Sequence, residues 1–246
     1  MEQLEQLKSW VEDSRRIVFF GGAGVSTESG IPDFRSAGGL YSEDGDYPPE
    51  TIVSHDFFER HTAEFYRFYR ERMLWPDAVP NAAHLALARW EREGKLSAVV
   101  TQNIDGLHQA AGSRTVWELH GSVHRNHCLS CGRSFTLREV LECEGVPRCH
   151  GGDAGCPCGG VIKPDVVLYG EPLEERVLRG AADAIASADM IIVGGTSLAV
   201  YPAAGLTDYY RGRRLVLINR TATPQDRRAD LLIRGSLGEI LGGLDS

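Results

Sequence analysis

The sequence predicts an α/β fold: a parallel sheet carrying helices on both faces. Three observations predict it. Short apolar, β-rich runs lack the in-out alternation of half-exposed strands, so both faces of each must be covered. Helix-period segments separate these runs, as in a doubly wound sheet. The first run ends in a glycine turn, Gly21-Gly22-Ala23-Gly24-Val25-Ser26-Thr27.

Taken in order, residues 2–13 set Leu4, Leu7 and Val11 three and four apart among charges, the pattern of an amphipathic helix. Residues 17–20 then form the first strand, and 97–101, 166–169, 190–193 and 215–218 are the later ones. Residues 81–93 and 173–187 are the intervening helices. The uncharged stretch 190–207 is long enough to raise a membrane span, but Gly194, Gly195, Thr196, Ser197 and Pro202 break it. It reads instead as a buried strand, a tight turn and a helix start.

Two segments depart from the alternation. Residues 30–50 are rich in Gly, Pro, Ser and Asp and read as a long functional loop. Residues 128–160 hold all six cysteines and seven of the 28 glycines, too little apolar matter for a core, so a metal is expected to hold them. The organisation that follows is a Rossmann-like domain from 1–40, 97–122 and 165–246, a cofactor loop and helical module at 41–96, and a zinc-binding module at 123–164.

Composition narrows the function. The chain has 246 residues, 42% hydrophobic, with a formal net charge of −8, so it has no global field to collect phosphate backbones. Nucleic acid is not an expected partner, and neither is a membrane. Glu2, Glu5 and Lys8 interrupt any apolar leader, which places the expected compartment in the cytoplasm. There, cysteines serve as metal ligands more readily than as disulfides.

Glycines after the first strand let a backbone approach a pyrophosphate, and free amides at a helix start attract its charge. The same glycines also suit a sharp strand-to-helix turn with no ligand. A hydride-transfer dehydrogenase would carry an acid about 20 residues on, at a second strand end. Asp44 has that distance but sits in Ser42-Glu43-Asp44-Gly45-Asp46 with no strand before it, which disfavours that chemistry.

Polar groups gather at the other strand ends. Thr101-Gln102-Asn103-Ile104-Asp105, Glu118-Leu119-His120-Gly121, Gly194-Gly195-Thr196-Ser197 and Asn219-Arg220-Thr221 each follow an apolar stretch, where open α/β sheets bind ligands. Phe34 beside Arg35 in the long loop pairs a ring with a guanidinium, fit for a flat base and a phosphate or for a simple surface turn. Together these strand ends describe a cofactor pocket. Cys128-Leu129-Ser130-Cys131 has the spacing of a zinc knuckle. Cys149, Cys156 and Cys158 compete for the other two places, and Cys143 reads as a buried thiol. Four thiolates would leave no open position, making the ion structural.

In this order, GAGVS at 22–26, GIPDFRS at 30–36, TQNIDGLHQAAG at 101–112, ELHG at 118–121, KPDVVLYGE at 163–171, GTSLAVYPAA at 195–204 and NRTATPQDRRADL at 219–231 resemble the sirtuins, the NAD-dependent protein lysine deacylases. The resemblance implies a protein lysine deacetylase that transfers the acyl group to ADP-ribose and releases nicotinamide, with NAD consumed and one structural zinc. It implies that Gly22, Ala23, Gly24, Thr27, Phe34 and Arg35 meet the dinucleotide, that Gln102 and Asn103 position the ribose, and that Ile104 and Asp105 receive nicotinamide. It assigns His120 as general base, with Asn103 and Asp105 completing the catalytic group, and Gly195, Thr196, Ser197 and Asn219 as holding adenosine. It implies that Val167, Leu168, Tyr169, Gly170 and Glu171 bind an acetyl-lysine peptide as an extended strand, and that Cys149 and Cys158 join Cys128 and Cys131 on zinc, with Cys156 the substitute.

Some bacterial sirtuins that remove succinyl groups carry a tyrosine and, three residues on, an arginine in the helix before the Asn-Ala-Ala-His motif, here Asn81-Ala82-Ala83-His84. Tyr66 has the tyrosine's register and is expected at the substrate, but Tyr69 stands in the arginine's place and Arg70 lies one step, about 100°, around the helix. Neutral acyl groups, acetyl first, are therefore expected. Core packing of the same aromatic run is the alternative reading, as ADP-ribosyl transfer to protein and a non-catalytic zinc module are for the activity.

Overall fold

The computed structural model describes residues 2–33, 47–150 and 158–245. Six strands make a parallel sheet in the order β3-β2-β1-β7-β8-β9: β1 (Ile17–Gly21), β2 (Leu96–Thr101), β3 (Val116–Glu118), β7 (Met190–Gly194), β8 (Leu215–Ile218) and β9 (Leu231–Ile233). Three more, β4 (Gly121–Cys128), β5 (Ser134–Thr136) and β6 (Ile162–Val166), form a small antiparallel sheet in the order β5-β4-β6.

The central strand explains the layering. Every residue of β1 is buried, and successive side chains point to opposite faces. Ile17 and Phe19 pack with Leu7 and Val11 of α1 (Glu2–Asp13), Leu87 and Trp90 of α5 (Ala82–Arg92), and Ile240 and Leu241 of α9 (Leu237–Gly242). Val18 and Phe20 pack the other way, with Ala181 and Ile185 of α8 (Glu175–Ser187) and with Leu206 in the 3₁₀ turn Ala203–Tyr209. The predicted parallel sheet, with helices on both faces, is present.

A third core lies outside this sheet. Phe57 and Phe58 of α3 (His55–Arg60), Phe65 and Tyr66 of α4 (Thr62–Phe68), and Tyr69 in the π-helical turn Tyr69–Met73 pack against Val123, Phe135, Ile162 and Val166 of the antiparallel sheet and against Leu137 and Val140 of α7 (Leu137–Leu141). The cysteine-bearing segment and the helices before it thus share one core, because the small sheet's apolar face needs a cover it does not itself supply. Helix α5, grouped with these helices in the sequence reading, packs into the large core instead.

Two sequence expectations change. The strand expected at 166–169 is β6, displaced toward the N-terminus and paired antiparallel with β4. Pro164 lies within it, tolerated because β6 is an edge strand, and residues 167–169 leave the sheet. The helix expected after the glycine turn is two 3₁₀ turns, Ala23–Val25 and Thr27–Ser29, since the Gly22 and Gly24 amides donate to Gly194 and Gly195 carbonyls at 3.2 and 2.8 Å instead of building a helix. Strand β9 has three residues and gave no sequence pattern of its own. Among the described residues, no helix is long and apolar enough to cross a membrane.

Phe65 stacks on Tyr69 and meets Phe58 and Tyr66 edge-on, so Phe65→Ala empties the middle of the third core. Denaturant unfolding should report a loss of about 3–5 kcal/mol. A loss under about 1 kcal/mol would show that this aromatic cluster is not what holds the small module together.

Candidate functional site

The parallel strands end level. Gly21 pairs with Thr101 on one side and Gly194 on the other, and Gly194 with Ile218, so the segments that follow open onto one edge. They line a cleft of about 840 Å³, within the range of small-molecule sites. Gly22, Ala23, Gly24, Thr27, Gln102, Asn103, Ile104, Asp105, His120, Gly195, Thr196, Ser197 and Asn219 all lie on its wall, as do Val167, Leu168, Tyr169, Gly170 and Glu171. Phe34, Arg35 and Cys156 fall outside the described residues.

Two glycines permit the closest approach in this edge. A Cβ on Gly24 would lie 2.7 Å from the Gly195 Cα, and Gly195 has φ +62°, a left-handed conformation that side chains disfavour. Backbone is therefore exposed where a phosphate would come near. The turn is fixed from behind by Asn81, the N-cap of α5, whose side-chain amide donates to the Val25 carbonyl at 2.8 Å and to Ser29 Oγ at 3.0 Å.

A chain of polar groups crosses the cleft floor. Asn103 Nδ2 donates to Ser26 Oγ at 3.0 Å, and Ser26 Oγ donates to the Asp105 carboxylate at 2.6 Å. The second carboxylate oxygen accepts from the Leu107 amide at 2.9 Å, and the Asn103 amide donates to Thr101 Oγ1 at 3.0 Å. These bonds fix the side chains before any ligand arrives. Gln102 Nε2 donates to Thr196 Oγ1 at 3.0 Å, and Thr196 and Asn219 exchange two bonds at 3.1 and 3.0 Å, tying the β2, β7 and β8 ends together.

His120 sits in the short crossover from β3 to β4. Its Nδ1 lies 3.0 Å from the Gln102 carbonyl, which can only accept, so Nδ1 carries the proton. Nε2 is left as a lone pair with no protein partner among the described residues. Burial, opposed in part by that carbonyl, lowers the ring's pKa below its ordinary 6.5. The imidazole is thus neutral at pH 7 and able to accept a proton.

The structure also places residues the sequence reading gave no role. Ser26 lies inside a quoted motif, yet its hydroxyl links Asn103 to Asp105. His124 Nε2 donates to the Asp105 carbonyl at 3.0 Å and covers Gly106, so it steadies the same loop. Arg72 is a further cleft residue.

Tyr66 is corrected. It is fully buried, absent from the cleft wall, and its hydroxyl donates to the Ile162 carbonyl. Tyr69 is equally buried beside it, and Arg70 donates to the Val140 and Cys143 carbonyls at 3.4 and 2.9 Å. The run packs as core.

Away from the cleft, the Sγ atoms of Cys128, Cys131, Cys149 and Cys158 all lie within 4.8 Å of one another. Cys128 ends β4, Cys131 follows in its turn, and an antiparallel bridge between Arg148 and Val161 returns Cys158 to the side of Cys149. The Cys128–Cys158 and Cys131–Cys149 sulfurs are 3.3 and 3.8 Å apart, close to the roughly 3.8 Å edge of a tetrahedron with Zn–S bonds of about 2.3 Å. The donor set fits one zinc, and with four thiolates it fits a structural one. Cys143 stands apart, its thiol donating to the Glu139 carbonyl.

A sheet of this kind, with glycine turns, a neutral imidazole and a four-thiolate module, defines a dinucleotide-using α/β protein with a structural metal. Comparison with known proteins makes the assignment specific: residues 22–202 match the Sir2 family model, and the chain belongs to that family. It is 56% identical over 244 residues to the NAD-dependent protein deacetylase of Clostridium perfringens, covering 98% of each chain, and 56% identical over 242 residues to that of Cutibacterium acnes, covering 98% of this chain and 96% of that one. A solved Sir2 structure with a p53 peptide and NAD+ is 39% identical with a TM-score of 0.83, covering 97% of this chain and 95% of that one. Another, of a Sir2 variant with a deacetylated p53 peptide and 3'-O-acetyl ADP-ribose, is 39% identical with a TM-score of 0.86 over the same shares.

Elemental analysis should find one zinc per chain. Cys131→Ser should lower its content and cost several kcal/mol, on the order of 10 °C in Tm. Unchanged metal content and melting would remove the ion from the fold.

Proposed function

We infer that this protein is an NAD-dependent protein lysine deacetylase that consumes NAD, releases nicotinamide and leaves the acyl group on ADP-ribose. The observation that carries the reading is the one cleft shared by a His120 ring with a free Nε2 and the Asn103–Ser26–Asp105 chain. The bound dinucleotide supplies a nicotinamide leaving group and the ribose carbon that the acyl oxygen attacks.

The chain's own groups then divide the work. Gly22, Ala23, Gly24 and Thr27 present the glycine turn to the phosphates, and Gly195, Thr196, Ser197 and Asn219 receive the adenosine end. Asn103, held by Ser26, orients the nicotinamide ribose with Gln102. Asp105, with Ile104, takes the nicotinamide amide. His120 Nε2 removes a ribose hydroxyl proton, its ring held in the required tautomer by the Gln102 carbonyl. Phe34 and Arg35, by resemblance, complete the cover of the ribose and a phosphate.

The peptide docks in extended form along Val167 to Gly170, paired mainly through backbone, which favours broad sequence tolerance. The preferred acyl group is acetyl: Tyr66 and Tyr69 lie in the core, and Arg70 is committed to carbonyls. The four thiolates suit a reducing compartment, consistent with a cytoplasmic protein.

Incubation with NAD and an acetyl-lysine peptide should release nicotinamide and unmask the lysine only when both are present. Label from NAD appearing on protein, with no lysine unmasked, would favour ADP-ribosyl transfer instead. Succinyl turned over faster than acetyl would contradict the acyl preference and direct attention to Arg72. His120→Ala should lower kcat by about 10²–10⁴-fold with the fold intact. Because the His120 pKa is lowered, wild-type kcat should hold at pH 7 and above and fall as pH drops through a value under 6.5. A loss on the alkaline side alone would contradict a neutral imidazole base.

A further inference from the structure

Lys163 is an unusual lysine, only 8% exposed. Its Nζ donates to three oxygens: the Pro164 carbonyl at 3.2 Å, the Val166 carbonyl at 3.0 Å and the Glu171 carboxylate at 3.1 Å. All three ammonium protons have partners, which is what a buried lysine requires. The same Glu171 oxygen accepts from the Leu168 amide at 2.9 Å, and the other lies 2.9 Å from His55 Nδ1. Glu171, expected at the substrate, thus spends its carboxylate inward.

The network surrounds the segment that docks the peptide. The Val167 amide donates to the His120 carbonyl at 3.0 Å, the Tyr169 amide to the Val53 carbonyl at 3.0 Å, and the His55 amide to the Tyr169 carbonyl at 2.9 Å. The Val167 carbonyl and the Gly170 N–H have no partner among the described residues. One flank of the segment is stapled by side chains from β6 and α3, while polar backbone remains on offer.

We propose that Lys163 and His55 are positioning residues for the peptide substrate: they clamp the Glu171 carboxylate, and through it hold the Val167–Glu171 backbone as a rigid edge for an extended acyl-lysine peptide. This rests on the deacetylase reading, and it names two residues which that reading does not use. The clamp acts before chemistry, on peptide affinity. It has no contact with the glycine turn.

His55 gives the clamp a pH dependence. Its Nδ1 faces Glu171, its Nε2 lies 3.4 Å from Glu59, and Lys163 is the cation facing it across Glu171. An imidazolium donates to both carboxylates, whereas the neutral ring donates to one. The Glu171 bond leads in raising the His55 pKa above 6.5, against burial and Lys163, so the full clamp is present at pH 6.5 and below and weakens as pH rises through the raised value. Glu171 itself stays ionised: burial would raise its pKa, but the Leu168 amide, His55 and Lys163 together hold it below the ordinary value.

Direct binding of a fluorescein-labelled acetyl-lysine peptide, read by anisotropy beside steady-state kinetics, tests this on the full chain. Lys163→Met should weaken peptide binding and raise peptide KM about tenfold, as for a lost charge-assisted bond, with NAD KM within about twofold and Lys163→Arg restoring part of the affinity. His55 is half-exposed, so His55→Gln should fold even if Lys163→Met does not. It should abolish the rise in peptide Kd between pH 6.5 and 8.5. A folded, zinc-loaded variant that binds peptide like wild type, an equal rise in NAD KM, or a wild-type Kd flat across that pH range would overturn the clamp. Wild-type protein that binds peptide but fails to deacetylate would overturn the enzymatic reading alone, because the clamp is read from binding.

Discussion

The level ending of four parallel strands is the constraint on which the cleft depends. Gly21, Thr101, Gly194 and Ile218 stand at one height across neighbouring strands, so the chain leaves the sheet four times along one edge. From β1 the strand order runs outward in both directions, to β2 and β3 on one side and to β7, β8 and β9 on the other. The crossovers therefore part at β1 and leave a crevice above it. Ser26 and Asp105, 79 residues apart in sequence, hydrogen-bond there. Nothing local could bring them together. The contact between Gly24 and Gly195 closes the base of the crevice, and a side chain at either position would push the two turns apart.

His120 belongs to both sheets. Leu119 donates to the Thr101 carbonyl at 2.9 Å, and Gly121 pairs with Val166 of β6, so the imidazole sits in the step between the parallel and antiparallel layers. Arg125 spans the same step, pairing with Glu118 at 2.6 Å and Asp165 at 2.8 Å. The imidazole is consequently placed by the large core below and by the small core above. The cysteine cluster lies at the far end of the same strand: Cys128 closes β4, and β4 begins one residue after His120.

Much of this was legible in the residues. Strands buried on both faces read as unbroken apolar runs, and the polar clusters after them marked the ligand edge because open α/β sheets bind at their carboxyl ends. The four zinc cysteines were legible from spacing and family likeness, although residues 150–157 separate the last pair. Other features were not, each for a physical reason. Val166 to Tyr169 is as apolar as a central strand, and its pairing with a different sheet depends on partners distant in sequence. Tyr66 was placed by likeness to succinyl-removing sirtuins, but the fold turns Phe65, Tyr66 and Tyr69 into the core while Glu64, Arg67 and Glu71 face outward. Lys163 and His55 carry no sequence signal for their network, because only the folded positions of Glu171 and two carbonyls make a buried ammonium stable.

Convergence of His120, Asn103 and Asp105 on the nicotinamide-ribose half of one dinucleotide is the central claim, and a crystal structure with a dinucleotide whose nicotinamide bond resists cleavage tests it most directly. Convergence requires His120 Nε2 within about 3.2 Å of a nicotinamide-ribose hydroxyl, with Asn103 and Asp105 against the same half of the ligand. A ribose bound at the adenosine end of the cleft, or an imidazole turned from it while the other two face nicotinamide, would contradict it.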